Sequence, residues 1–164
     1  MPTASMDAQA RKKTLRMFSN GMYVLTSRSG QAYGAATVTW VSQASFKPPL
    51  LMTAVRRDSN VYRCLAESRI AAIHVLAADQ QDIAQKFFAP TTASAGMING
   101  EPFVDGKTTA PVLRNTPAHV ECRVQQIFDH LGDHSIVILE VVEAEFRCEA
   151  RPLTIGDSPW EYGG

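Results

Sequence analysis

Along residues 5–19, Leu15 and Phe18 fall three apart, Ser5 stands where a cap would, and Gly21 supplies a stop. The pattern predicts an opening helix whose Arg11, Lys12, Lys13 and Arg16 form a solvated basic face. Then the period changes. Met22 to Ser27 and Ala32 to Val41 are rich in β-formers and flank a Ser-Gly turn signal within Arg28 to Gln31, predicting a hairpin. Pro48 and Pro49 cannot donate to a ladder, so Leu50 to Val55 is a separate third strand. Asp58 or Ser59 caps a helix to about Glu67, with Val61, Cys64 and Leu65 on one stripe.

Arg69 to Leu76 reads as a buried strand. Asp79 opens a third helix, with Ile83, Ala84, Phe87 and Phe88 on its apolar face, which ends before Pro90. Residues 89–117 are rich in Thr, Pro and Gly without periodicity, as a lid, binding loop or partner-contact segment would be. In Ala118 to Phe128, Val120, Cys122 and Val124 alternate with Glu121, Arg123 and Gln125, a strand with one wet face. Ser135 to Phe146 is more continuously apolar and reads as buried on both faces. The tally of about six strands and three helices predicts an α+β fold, mainly antiparallel sheet or barrel.

At 164 residues, with 45% apolar and 20% charged positions, the chain is one soluble domain with room for its own core. The longest apolar run, Ile136 to Val142, is far short of a bilayer span, and the first fifteen residues lack a secretory apolar core, so no membrane association and a cytoplasmic location are expected. A formal charge of zero without a basic block argues against nucleic acid. Cys64, Cys122 and Cys148 are far apart without a CxxC pair, and read as reduced core thiols.

The densest ionisable cluster is DHLGDHS, residues 129–135. No HExxH helix or second Cys/His cluster completes a metal shell, so no metal is expected. The stretch is either a polar turn with Gly132 at positive φ or the carrier of a substrate-facing histidine. His74, inside IAAIHVL, reads as a hydrogen-bonded core histidine, and His119 is uninformative. Ser42 and Ser45 have no nucleophile elbow around them. Thr37 to Pro49 offers hydroxyls at 37, 39, 42 and 45, the Gln43 amide and the Trp40 indole, suited to a polar aromatic ligand or simply a Thr-rich strand and loop. Arg56 and Arg57 precede a helix start at Asp58-Ser59-Asn60, a combination suited to phosphate. Together the two stretches suggest a phosphorylated aromatic cofactor.

At these residues the sequence resembles the flavin reductase-like family, whose antiparallel split β-barrels bind FMN or FAD. The matching pieces are Asn20 to Thr26, Thr37-Val38-Thr39-Trp40, Ser45-Phe46-Lys47-Pro48-Pro49, Leu50 to Val55, Glu121-Cys122-Arg123-Val124 and Gly132-Asp133-His134. They fall in order over about residues 14–155, followed by a tail at 156–164. Trp40 stands where the family pattern has a serine, and Arg151-Pro152-Leu153 with Ser158 to Gly164 is similar to a flavoredoxin-like or rubredoxin-associated subgroup.

The resemblance implies that Thr37, Val38, Thr39 and Trp40 bind the cofactor along its ribityl chain and phosphate. Gln43, Ala44 and Ser45 would face the isoalloxazine edge, Arg57 and Ser59 the phosphate, with Lys86 a further candidate. It implies an NAD(P)H:flavin reductase in which NADH or NADPH passes hydride to the flavin and His134 orients the nicotinamide. The alternative is a flavin-loaded electron carrier reduced by a protein partner. A homodimer is also implied, with the 89–117 loop and the Trp160/Tyr162 tail closing over the partner's site, and an acceptor protein or monooxygenase downstream.

Overall fold

The computed structural model describes residues 4–164; residues 1–3, the start of the stretch read for a secretory signal, lie outside the described residues. Helix α1 (Ala8–Leu15) is capped by Asp7, whose carboxylate accepts from the N–H groups of Gln9 and Ala10 at 2.8 and 3.1 Å. Asp7, not Ser5, is therefore the cap. No residue of α1 is buried, so the Leu15/Phe18 pair that suggested a helix does not supply a core face.

Strands β1 (Tyr23–Ser29) and β2 (Ala32–Val38) form the expected hairpin around Gly30, whose φ of 57° suits glycine. The second strand was expected to run to Val41, but it stops at Val38. Thr39 and Trp40 leave the ladder, and β3 (Val41–Ser45) begins a pairing with β4 (Leu50–Arg56) instead. Helix α2 (Asn60–Ser68) follows, then β5 (Ile70–Val75) and the short α3 (Gln81–Lys86). Gln80, not Asp79, precedes α3, and Phe88 is exposed while Ile83, Ala84 and Phe87 are buried.

Residues 89–117 are not irregular. They hold β6 (Ala93–Ser94), β7 (Met97–Ile98), β8 (Glu101–Asp105) and β9 (Pro111–Leu113), paired in order as a small antiparallel sheet. Their turns place Gly96 and Gly100 at positive φ, and elements this short carry too little periodicity to read. The long strands β10 (Ala118–Phe128) and β11 (His134–Phe146) complete the chain's main ladder.

That ladder is a seven-stranded sheet in the order β2-β1-β5-β10-β11-β4-β3, antiparallel throughout. Its two edge strands, β2 and β3, are separated in sequence only by Thr39 and Trp40. The three residue steps from Val38 to Val41 span at most about 10–11 Å of extended chain, so the sheet must curl until its edges nearly meet. The edges do not pair with one another, and the result is a split antiparallel barrel with Thr39-Trp40 bridging the seam.

The barrel interior is filled by Leu25, Val38, Val55, Ile73, Cys122, Val137 and Leu139, with Val61 and Leu65 of α2 packed among them. Val24, on the opposite face of β1, joins a second cluster with Met22, Phe87, Ile98, Leu113 and Leu153. Cys64 and Cys122 are buried as expected, whereas Cys148 is exposed. His74 is fully buried: Nδ1 meets the Val24 carbonyl at 2.9 Å and Nε2 accepts from the Leu113 N–H at 3.0 Å, tying β5 to β1 and β9.

Two strand readings are corrected. Glu121, expected on a wet face, is buried because the β10 register shifts between Glu121 and Cys122; its carboxylate accepts from the N–H groups of Lys107 and Thr108 at 3.1 and 2.8 Å. A Cβ at Gly106 would sit 2.2 Å from that carboxylate, so a larger residue there would push it off these donors. β11 buries only Ser135, Val137 and Leu139, and Val142, Ala144 and Phe146 are exposed, because nothing covers the outer face of its second half.

Candidate functional site

An apolar hollow beside the seam has a volume of about 430 Å³. One wall is the end of β2 and the bridge, Ala36 to Trp40; Val55 and Arg56 of β4 and Ser59 and Val61 at the start of α2 form the floor. Phe87 and Phe88 after α3 and Ile155, Trp160, Glu161 and Tyr162 of the tail close it. The seam is what opens this hollow, since residues off both ladders can turn side chains and backbone toward a ligand.

Thr39 carries the sharpest polar feature. Its Oγ1 is buried and has no hydrogen-bond partner among the described residues, a cost of about 1–3 kcal/mol unless a ligand supplies one. The Thr37 hydroxyl, in contrast, is committed to the Ala84 carbonyl at 2.6 Å, and the Thr37 N–H donates to the Phe87 carbonyl at 3.2 Å. Thr37 thus fastens α3 to β2 and places the two phenylalanines.

The α2 N-terminus reaches the hollow because residue 34 is glycine: a Cβ there would lie 2.4 Å from Val61 Cα. Ser59 caps the helix, accepting from the Tyr62 N–H at 3.2 Å and donating to the Arg56 carbonyl at 2.7 Å. The N–H groups of Asn60 and Val61 have no partner within the helix and carry its partial positive charge. Arg56 stands beside them in a bidentate pair with Asp58 at 3.1 and 2.8 Å. That hydrogen bond, reinforced by coulombic attraction, raises the Arg56 pKa and lowers that of Asp58.

The DHLGDHS stretch is a turn, held from outside by Arg57, whose guanidinium donates to the carbonyls of Asp129 and Gly132. Gly132 does not have positive φ and a Cβ would meet nothing there, so the expected need for glycine is not the reason the chain turns. Asp129 and His130 are solvated. His134 opens β11 opposite Arg56 and is bracketed by two side chains: Nδ1 lies 2.8 Å from Asp133 Oδ1, and Nε2 lies 3.0 Å from Tyr162 Oη. The hydrogen bond to His134 holds the Asp133 carboxyl below its usual range; burial raises the Tyr162 phenol, which stays protonated. Trp40 packs on both rings, with centroids 4.8 Å from His134 and 5.1 Å from Tyr162.

Of the positions expected from sequence, Thr37, Val38, Thr39, Trp40 and Ser59 line the hollow, and His134 reaches its rim through Trp40 and Tyr162. The others lie elsewhere. Gln43 and Ser45 line a separate groove on the open sheet face and Ala44 is exposed between them; Arg57 holds the turn; Lys86 pairs with the buried Glu101 at 3.2 Å. Arg56 replaces Arg57 beside the helix start because it ends β4 with its side chain toward the hollow, and the period-2 parity of that strand is the signal that separates them. Phe87, Phe88 and Ile155 had no such signal, since nothing local in the sequence says which hollow an apolar side chain borders.

The donor set fits a flavin phosphate and ring: an unpartnered hydroxyl, a capped helix N-terminus beside a guanidinium, and aromatic walls. The family described as flavin reductase like domain matches residues 15–158. The chain belongs to that family. A flavin reductase (NADH) from Kitasatospora aureofaciens is 35% identical over 132 residues, covering 79% of this chain and 67% of the relative. The flavin reductase component of a bacterial two-component tryptophan halogenase, BorF, superposes with a TM-score of 0.75 at 28% identity, covering 90% of this chain and 92% of that one. The NADH:FAD oxidoreductase SgcE6 from Streptomyces globisporus, solved with NAD and FAD fragments, gives a TM-score of 0.70 at 27% identity over 84% of this chain and 81% of that one. The chain spans much less, 24%, of a diflavin flavoprotein from Synechocystis to which it is 29% identical. Among the described residues of this flavin reductase family chain, no helix is long and apolar enough to cross a membrane.

Proposed function

We propose that the protein is an NAD(P)H-dependent flavin reductase holding FMN or FAD in the seam hollow. The observation that carries this reading is the conjunction, in a chain of this family, of the unpartnered Thr39 hydroxyl with the α2 N-terminus on one aromatic-walled hollow. A bound flavin supplies the redox chemistry, accepting a hydride from NADH or NADPH and yielding electrons to an acceptor. The chain's own residues bind and orient. Thr39 offers its hydroxyl to the ribityl chain, Ser59 and the α2 N–H groups hold the phosphate with Arg56, and Val38 and Trp40 exclude water from the ring. Arg57 acts at one remove, by fixing the turn that carries His134.

Gln43, Ala44 and Ser45 have their part in a homodimer. The groove they border, about 610 Å³ in volume, is flanked by Tyr23, Leu51, Val141 and Phe146, and the neighbouring Phe46, Met52 and Val142 are exposed. A second copy covering this face would set their polar groups at the interface. Light scattering of the purified protein should give twice the chain mass. Lys86 reaches a cofactor only when its pair with Glu101 opens. The acceptor we propose is a separate protein that takes up reduced flavin, with the halogenase component as the supporting likeness.

Anaerobic mixing with NADH or NADPH tests the reading: the flavin absorbance should bleach rapidly, and mass analysis of the cofactor released on denaturation identifies FMN or FAD. The covered hollow favours a second reading, a flavin-loaded electron carrier reduced by a protein, in which neither nicotinamide bleaches the flavin.

A further inference from the structure

The tail lies over the hollow of its own chain. It is fastened at several points. Trp160 stands edge-on to Phe88 with ring centroids 4.9 Å apart, and Ser158 Oγ accepts from the Trp160 N–H at 3.2 Å. Arg16, just past α1, donates to Glu161 at 2.8 Å and to the Gly163 carbonyl at 3.0 Å. These anchors hold the Tyr162 ring on Trp40 and its hydroxyl on His134. Most of them are polar and exposed, and surface contacts of this kind add little to stability, so the strap can lift without unfolding the barrel.

The direction of the His134 hydrogen bonds says what the strap imitates. The Asp133 carboxylate can only accept, so the His134 Nδ1–H donates to it. Nε2 of the neutral ring is then the acceptor, and the Tyr162 hydroxyl donates to it. A flat aromatic ring packed on Trp40 with one donor directed at Nε2 is also the description of a nicotinamide whose carboxamide N–H reaches the same nitrogen. Resting on the reading of this hollow as a flavin reductase site, we propose that residues 158–164 form a displaceable strap in which Tyr162 occupies the nicotinamide's place on Trp40 and His134. Dinucleotide binding expels it. The strap then shields the site from water and oxidant when no donor is present, and lowers apparent affinity for the dinucleotide by the fraction of molecules in which it is closed.

Two variants loosen the strap in different ways. Tyr162→Phe removes the hydroxyl and keeps the ring; Arg16→Ala removes both anchors on the α1 side and lies outside the hollow. On FMN-loaded protein, calorimetric titration with NAD⁺ should show Kd falling about five-fold in each, the effect of one net hydrogen bond, and the KM for NADH should fall with it while kcat holds. Hydrogen exchange in 158–164 should quicken when NAD⁺ is added to the wild type. FMN binding, read by quenching of flavin fluorescence, is measured first on every variant. A wild type that binds neither FMN nor FAD overturns the reductase reading itself. Normal FMN binding with NAD⁺ affinity unchanged or weakened in both variants overturns the strap proposal alone, as does slower exchange in 158–164 on adding NAD⁺, which would mean that the tail closes on the dinucleotide.

Discussion

His74 and His134 each have both ring nitrogens in hydrogen bonds, yet they are opposite kinds of residue. The partners of His74 are main-chain groups of β1 and β9, at 2.9 and 3.0 Å, in a place with no solvent exposure. The partners of His134 are side chains, one on an exposed turn and one on the tail. A backbone partner cannot leave without undoing the sheet, whereas a side-chain partner can be exchanged for a ligand. Counting hydrogen bonds does not tell the two apart; asking what would have to move to break them does.

The comparison predicts its largest effect at His74. His74→Ala orphans the Val24 carbonyl and the Leu113 N–H and leaves a cavity, and should cost about 3–5 kcal/mol in urea denaturation. His74→Gln, whose amide can donate to the one and accept from the other, should cost clearly less. His134→Ala should stay within about 0.5 kcal/mol of wild type while raising the KM for NADH. Equal destabilisation at both positions would erase the distinction.

Acid sharpens it next. Burial pushes the His74 pKa down to about 3 from 6.5, and burial also lowers His119. The unfolded chain therefore takes up protons that the folded chain refuses as pH falls below 6.5. Stability is complete above that pH and is lost on acidification, at up to about 1.4 kcal/mol per pH unit for each proton. Urea midpoints between pH 7 and 5, above the range where carboxylates titrate, should show this slope, and His74→Gln should lose about one proton of it.

Much of this was legible in the sequence, for identifiable reasons. The long strand β10 announces itself through sustained alternation and β11 through its long apolar run, and His74 reads as structural because its neighbours on both sides are apolar. The break after Val38 did not, because Thr39, Trp40 and Val41 are all good strand residues; only the need to cross the barrel seam takes Thr39 and Trp40 off the ladder. The choice of Arg56 over Arg57 turns on strand parity at an element end, where boundaries are hardest to place. The tail's position over its own hollow depends on Arg16, some 145 residues away, a pairing no local pattern contains.

A smaller effect lies at the bridge itself. Thr39→Val keeps the shape and removes the unpartnered hydroxyl, so folding stability should hold within about 0.5 kcal/mol or rise, while FMN affinity falls about five- to ten-fold. This is the reverse of the His74 outcome: function lost with the fold untouched. A Thr39→Val protein that binds FMN as well as wild type would mean that the hydroxyl does not serve the cofactor.

The smallest effect separates the adjacent arginines by the same criterion. Arg56 borders the hollow, but its charge is already shared with Asp58 and its side chain is largely exposed, so Arg56→Ala should weaken FMN binding only about three-fold more than riboflavin binding. Arg57 spends its donors on the backbone of the turn, so Arg57→Ala should weaken FMN and riboflavin equally or not at all. Its effect should instead be a KM for NADH raised about two-fold, as the turn carrying His134 loosens. Titrating both variants with FMN and with riboflavin decides the matter: a phosphate-selective loss in Arg57→Ala, absent from Arg56→Ala, would exchange the two roles.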